Sequence, residues 1–105
     1  MKPKTWWRET LGPAQLRLRA GGRTFDRGEA YLKTERVLSV QWIGNTLTAQ
    51  VQGTIVYEVR FWRKGRELLT DCTCPFAREG AFCKHAVAAA LAVDFDGAEN
   101  DFPAS

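Results

Sequence analysis

The chain has few side chains that are suited to catalysis. Its 105 residues include one histidine and three cysteines, so two imidazoles can never act together. It also lacks a glycine-rich phosphate loop and paired carboxylates in a recognisable motif. The sequence therefore predicts no enzyme activity and no small-molecule substrate.

Long apolar segments are also absent. No run reaches the roughly 18 residues that a membrane span needs, and residues 1–11 lack the apolar core of a signal peptide. We therefore expect a cytoplasmic protein with no membrane partner. A reducing cytosol disfavours disulfides, and three cysteines would leave one thiol over in any intrachain pairing.

Charge is distributed unevenly along the chain. The formal net charge is +3, but residues 94–105 contain four acidic residues and no base, which leaves +7 for residues 1–93. This basic character permits an anionic partner, although scattered lysines and arginines more often only solvate a surface. We expect the acidic segment 94–105 to be a flexible tail.

The first 22 residues are predicted to be an extension that packs on or flanks the domain. The breaker pair Gly21-Gly22 ends this segment, and the alternating stretch 15–19 predicts a short strand within it. Adjacent Trp6 and Trp7 cannot both face one core. Either one caps the domain and the other is half exposed, which is the commoner arrangement, or the two anchor a partner or a neighbouring domain.

A single domain is expected at residues 23–93. Thr24 is a candidate N-cap for a helix over about 25–34, and Gly28 inside that helix predicts a close approach by another element. The alanine-rich run 86–93 predicts a second helix. A core this small is expected to need a staple or a metal.

Between these helices the hydrophobic period changes to two. Residues 36–74 contain β-rich runs separated by turn signals at Gly44-Asn45, Gly53-Thr54 and Lys64-Gly65. We therefore predict an α+β fold, a small antiparallel β-meander with a short N-terminal helix and a C-terminal helix.

All three cysteines and the histidine fall within residues 71–85. Cys72 and Cys74 are two positions apart on the predicted fourth strand, where alternate side chains face the same way, so their thiols converge. A disulfide between residues two apart would be strained. Cys83 and His85 are expected at the cap and in the first turn of the last helix, so that both face back toward the strand.

Three thiolates and one imidazole suit a tetrahedral zinc ion. Because the protein supplies all four ligands, the predicted Zn²⁺ is a single structural ion that staples the fold. Its net charge of about −1 would be offset by a helix N-terminus and by Lys84 and Arg78. The alternatives are a thiol enzyme that uses His85, or an accidental cluster of buried cysteines and a histidine.

The same residues resemble a SWIM-type zinc finger, whose pattern is Cys-x-Cys, a variable spacer and Cys-x-His. Here the pattern is Cys72-Thr-Cys74, eight residues, and Cys83-Lys-His85. The wider bacterial form of the family is also similar over roughly residues 21–92, through "FDRGEAYLKTERVLSV", "VQGTIVYEV", "CTCPF" and "FCKHAVAAALA". The ligand pattern shows no departure from that of the family.

The resemblance implies a non-catalytic, zinc-stabilised ββα-like module, of a kind found in bacterial proteins, Swi/Snf-type ATPases and Mutator-type transposases. It implies DNA or protein partners. We therefore expect nucleic-acid binding, of DNA above all, as an accessory to a helicase, an ATPase or another DNA-transacting complex.

Candidate nucleic-acid contacts are the bases Arg60, Arg63, Lys64, Arg66, Arg78 and Lys84, with Trp62 or Trp42 available for stacking. The alternative function is a protein–protein interaction module without direct nucleic-acid contact. Its anchors would be Trp6 and Trp7 or the mixed face of the sheet. The basic domain favours nucleic acid slightly.

Overall fold

A computed structural model describes residues 3–75 and 82–93. These residues form helices α1 (Pro3–Thr10), α2 (Pro13–Ala20), α3 (Gly22–Lys33) and α4 (Lys84–Leu91), and strands β1 (Val37–Ile43), β2 (Thr46–Gln52), β3 (Val56–Lys64) and β4 (Glu67–Cys72). Within the described residues, no helix is long and apolar enough to cross a membrane.

The four strands form one antiparallel sheet in the order β1-β2-β3-β4. Two of its hairpin turns contain a glycine with positive φ, Gly44 at 63° and Gly65 at 64°, a conformation that other residues adopt at a cost. The predicted meander and the α+β fold class are confirmed.

One face of the sheet carries the core. Leu47, Ala49 and Val51 of β2 lie beside Val59 and Phe61 of β3, and all five are at most 1% exposed. Helix α4 packs across this face and is in turn covered by α3. Because it lies between two layers, α4 is buried continuously over residues 85–90.

The contact between α3 and α4 depends on Gly28. A Cβ atom added there would lie 2.4 Å from Val87 Cγ1 and 2.9 Å from the Lys84 carbonyl oxygen. The predicted close approach is therefore confirmed. The helix itself begins earlier than predicted, since Gly21 occupies the N-cap position and Thr24 lies within the first turn.

The prediction of a strand at residues 15–19 was wrong, because this stretch belongs to helix α2. Pro13 starts the helix, where its missing N–H has no consequence. Leu16 is completely buried and Leu18 is 78% exposed. In a helix these two side chains are about 200° apart, so the same alternation also fits an amphipathic helix with one buried position.

The adjacent tryptophans have different environments. Trp7 is 3% exposed and meets the rings of Trp6 and Trp42 edge to face, at centroid distances of 4.8 and 5.0 Å. Trp6 is half-buried. The arrangement matches the commoner of the two interpretations, and Trp7 is too deeply buried to anchor a partner.

The extension contributes to the core, since Trp7, Leu11 and Leu16 belong to the same hydrophobic cluster as the sheet residues. The boundary at residue 22 stays a prediction. The acidic segment 94–105 lies outside the described residues.

Candidate metal centre

The first two candidate ligands lie at the end of β4. The strand ends at Cys72, so Cys74 lies beyond it and not within it as predicted. Alternation nevertheless continues, because Thr73 donates its backbone N–H to the Glu58 carbonyl (3.1 Å) and accepts the Glu58 N–H on its hydroxyl (3.0 Å). Thr73 is exposed while both cysteines are buried, so the two thiols face the core together.

The other two candidates lie at the start of α4, as predicted. Cys83 is the N-cap residue, with extended backbone (φ −88°, ψ 171°), and its Sγ accepts a hydrogen bond from the Ala86 N–H at 3.4 Å. His85 follows in the first turn. The cap conformation therefore lets two residues only two positions apart face the same point.

The ligand atoms of Cys72, Cys74, Cys83 and His85 all lie within 4.8 Å of one another. Each residue is at most 7% exposed, and the cysteines are free thiols. Cys83 Sγ is 3.8 Å from His85 Nδ1, close to the separation of about 3.6 Å expected for two ligands on a tetrahedral zinc ion. The four side chains are clustered for one zinc ion.

Hydrogen bonds lower the pKa of one of the candidate thiol ligands. The hydrogen bond with Cys72 is the main cause that lowers the pKa of Cys83 to about 4, against the opposing effect of burial and with help from His85 and the Ala86 N–H. The same hydrogen bond, together with burial, raises the pKa of Cys72. A lowered pKa favours the thiolate form of Cys83, which is the form that binds a metal.

The imidazole is held between aromatic rings. Its centroid lies 4.5 Å from that of Tyr57 and 5.4 Å from that of Tyr31. Nδ1 faces Cys83, whereas Nε2 is buried without a hydrogen-bond partner in the described part of the chain. A Cβ atom on Gly53 would lie 2.6 Å from Tyr57 Cε2 and 3.1 Å from His85 Nε2, so it would overlap the Tyr57 ring and press more lightly on the imidazole.

Comparison with family models agrees with this geometry. Residues 56–94 match the model of the SWIM zinc finger. This segment is therefore similar to a SWIM zinc finger. No curated protein and no solved structure matched the chain. The match includes β3, β4, the four candidate ligands and α4, and leaves α1, α2, α3, β1 and β2 outside it.

The matched segment does not contain the whole core of this chain. Its strands β3 and β4 extend a sheet begun by β1 and β2. Its helix α4 packs against α3, which precedes the matched segment.

Sequence reasoning missed the contribution of Gly53, Tyr57 and Tyr31 to the environment of His85. The pair Gly53-Thr54 predicts a turn, yet the φ of Gly53 is not positive. The role of this glycine is to leave space for the imidazole and for the Tyr57 ring. No local signal could have shown the contact with the imidazole, because His85 comes from a distant part of the chain.

The candidate nucleic-acid contacts do not form one surface. Arg60 is paired with Asp71 at 2.5 Å and with Glu58 at 3.9 Å, on the outer face of the sheet. Lys84 lies beside the zinc ligands, with Nζ 5.2 Å from the centre of the Tyr31 ring. Arg78 lies outside the described residues.

The other three cations are at the β3–β4 turn, which is the opposite end of the sheet from the metal centre. Arg63 donates from Nε to the Gly65 carbonyl (2.6 Å), and its guanidinium lies 4.6 Å from the centre of the Trp6 ring. Lys64 and Arg66 are exposed at the turn. Of the two candidate stacking residues, Trp42 is packed against Trp7, and Trp62 is half-buried on the outer face.

Proposed function

We propose that this SWIM zinc finger is a non-catalytic module that binds DNA, as an accessory to a helicase, an ATPase or another DNA-transacting complex. The observation that supports this function is positive charge that the protein does not neutralise. Lys64 and Arg66 are exposed and have no carboxylate partner among residues 3–75 and 82–93. Such cations are free to contact phosphates.

The donor set supports a structural role for the zinc ion. Cys72, Cys74, Cys83 and His85 supply four ligands, which is the full number of a closed tetrahedral site. Catalytic zinc keeps a position open for water or substrate. The ion would therefore hold the β4 end and α4 together and would leave binding to the surface.

The β3–β4 turn is shaped for contact with a phosphate backbone. Lys64 and Glu67 are the last cross-strand neighbours of the hairpin, and Gly65 between them has the left-handed conformation of a tight turn. The two free cations are therefore presented on a short, paired hairpin. A salt-dependent interaction is expected, because each phosphate that a cation neutralises releases a counterion.

The test is a salt series of DNA binding on the full chain, measured by fluorescence anisotropy with a labelled duplex. In the Lys64→Gln/Arg66→Gln variant, the slope of log affinity against log salt should flatten by roughly two units if both side chains contact phosphates. Arg60→Gln is the matched control, because Arg60 is already paired with Asp71. An absence of DNA binding even at about 50 mM salt would refute the proposed function.

A second candidate is a protein-interaction module, which the outer face of the sheet favours. On this face, away from the helices, Trp62 and Leu69 are cross-strand neighbours and both are half-buried. Arg60 lies next to them and is paired with both Asp71 and Glu58. An aromatic centre with neutralised charges suits a protein partner better than a phosphate backbone. If DNA binding is absent, Trp62→Ala is the variant with which to test partner binding.

A further inference from the structure

A cleft of about 310 Å³ lies where α4 starts, between that helix and the α2–α3 pair. Thr24, Arg27 and Lys84 line it, together with Phe82 and the candidate zinc ligands Cys83 and His85. No acidic residue is among its described lining residues. The cleft therefore offers hydrogen-bond donors and positive charge in one place.

Two more cations lie on the helices that flank this cleft. The Arg19 guanidinium is 6.0 Å from the centre of the Phe82 ring. Arg23 precedes Arg27 by four residues on α3, so the two lie on the same side of the helix. Arg19, Arg23 and Arg27 are all exposed. We call Arg19, Arg23, Arg27 and Lys84 the cleft cations.

The acidic residues of α3 do not neutralise the cleft cations. Asp26 lies 3.7 Å from Arg17, and Glu29 lies 4.0 Å from Lys33. None of the four cleft cations has a carboxylate partner in the described part of the chain. Their charge therefore remains available to a ligand.

The neighbouring metal centre does not account for all of this charge. One zinc ion with three thiolates has a net charge of about −1. The four cleft cations together exceed that charge by about three. One cation beside the thiolates would be enough to neutralise the metal centre. The positive charge of the other cleft cations is therefore available to an external anion.

We infer that the phosphates of the nucleic-acid backbone are bound in this cleft, with Arg23 and Arg27 as the principal contacts. Arginine and lysine together with a hydroxyl group are the side chains that most often bind backbone phosphates. The inference rests on the proposed function and places the main contact on the helical side of the metal centre, away from the β3–β4 turn.

The test compares two variants of the full, zinc-loaded chain that each lose two charges from the helical layer. Arg23→Gln/Arg27→Gln removes two cleft cations, and Arg17→Gln/Lys33→Gln removes two cations that already have carboxylate partners. Binding of a labelled DNA duplex is measured at salt concentrations from about 50 to about 200 mM. The first variant should bind at least about tenfold more weakly at the lowest salt, with a slope flatter by roughly two units, whereas the second should keep the wild-type slope.

Zinc content and a charge-conserving variant separate a phosphate contact from a structural effect. Every variant should keep one zinc per chain, and Arg23→Lys/Arg27→Lys should restore most of the slope. Should Arg23→Gln/Arg27→Gln lose zinc, Arg19→Gln/Arg23→Gln gives the same readout and leaves Arg27, which lines the cleft beside Cys83 and His85, unchanged.

Equal slopes for wild type and the cleft variants would overturn the inference. If the Lys64→Gln/Arg66→Gln variant then loses affinity, the proposed function stands and its contact lies at the turn. If the wild type does not bind DNA at about 50 mM salt, the proposed function and the inference both fail.

Discussion

Different interactions hold the two ends of the sheet against the helices. At the metal end, side chains from the β4 end and from α4 bring four ligand atoms within 4.8 Å. At the tryptophan end, α1 places Trp7 against Trp42 of β1, and Trp6 lies under the Arg63 guanidinium of β3. The metal end depends on a few strong bonds to one ion, whereas the tryptophan end depends on buried area spread over many atoms.

This difference determines how the stability of each end should respond to the loss of a side chain. Loss of a single ligand removes the ion. The folding free energy that zinc binding contributes is then lost as a whole. Loss of one aromatic side chain removes only its own share of burial. Perturbations of the metal end should therefore have large, cooperative effects, and those of the tryptophan end should be graded.

The largest effect is expected from removal of zinc. Structural zinc sites contribute about 10–16 kcal/mol of apparent folding free energy at neutral pH, which is more than the stability of most small domains. A strong chelator should therefore abolish the far-UV circular dichroism signal of the fold, and restored zinc should recover it. Tryptophan fluorescence should change in the same transition. A tryptophan end that stays folded without zinc would contradict this dependence.

The next largest effect is expected from loss of one ligand, in His85→Ala. Three thiols remain, but the tetrahedral set is incomplete, so zinc content should fall well below one per chain and the described fold should be lost broadly. Lys84→Gln is the matched control, because it changes the neighbouring residue without touching the ligand set. Metal analysis and circular dichroism measure both variants. A stable, zinc-loaded His85→Ala protein would show that His85 is not a ligand.

At the tryptophan end, Trp7→Ala should destabilise the protein by about 3–5 kcal/mol, the usual loss for a buried aromatic residue. Trp7 is 3% exposed and in contact with Trp42. Trp6→Ala should cost less, because Trp6 is half-buried. Urea unfolding of the zinc-loaded proteins gives both values, and zinc content should stay at one per chain. Loss of zinc in Trp7→Ala would mean that the metal end also depends on the tryptophan end.

The smallest effects should come from a matched pair of glycine variants. Gly53→Ala places a methyl group against Tyr57 and His85 and should cost about 1–3 kcal/mol through overpacking. Gly65→Ala has open space around its Cβ but a φ of 64°, and should cost about 1–2 kcal/mol through backbone strain.

Zinc affinity separates the two glycine variants more sharply than stability does. Gly53→Ala displaces the imidazole and should weaken zinc binding by about tenfold, equivalent to about 1.4 kcal/mol. Gly65→Ala lies at the other end of the sheet and should leave zinc affinity unchanged. Competition with a chromogenic chelator measures both. Equal zinc affinities would show that Gly53 does not position His85.

Much of the metal end could be predicted from the sequence. Ligand chemistry depends on residue type and on short spacings, and the pairs Cys72/Cys74 and Cys83/His85 each converge through local geometry. The meander could be predicted equally well, because a hydrophobic period of two residues and glycine-containing turns are local signals. Gly28 could be identified as a contact point because glycine destabilises a helix interior, a cost that close packing by a neighbouring element offsets.

Tertiary structure alone decided the features that depend on residues far apart in the chain. The alternation at residues 15–19 fits a strand or a helix, and only the position of Leu16 in the core selects the helix. The role of Gly53 appears only when His85, which is distant in sequence, packs against it. The cleft cations come from α2, α3 and α4, and no local pattern brings them together. Amino-acid type and short-range spacing determine which ion a segment can bind, but the surface that surrounds it depends on how separate elements pack.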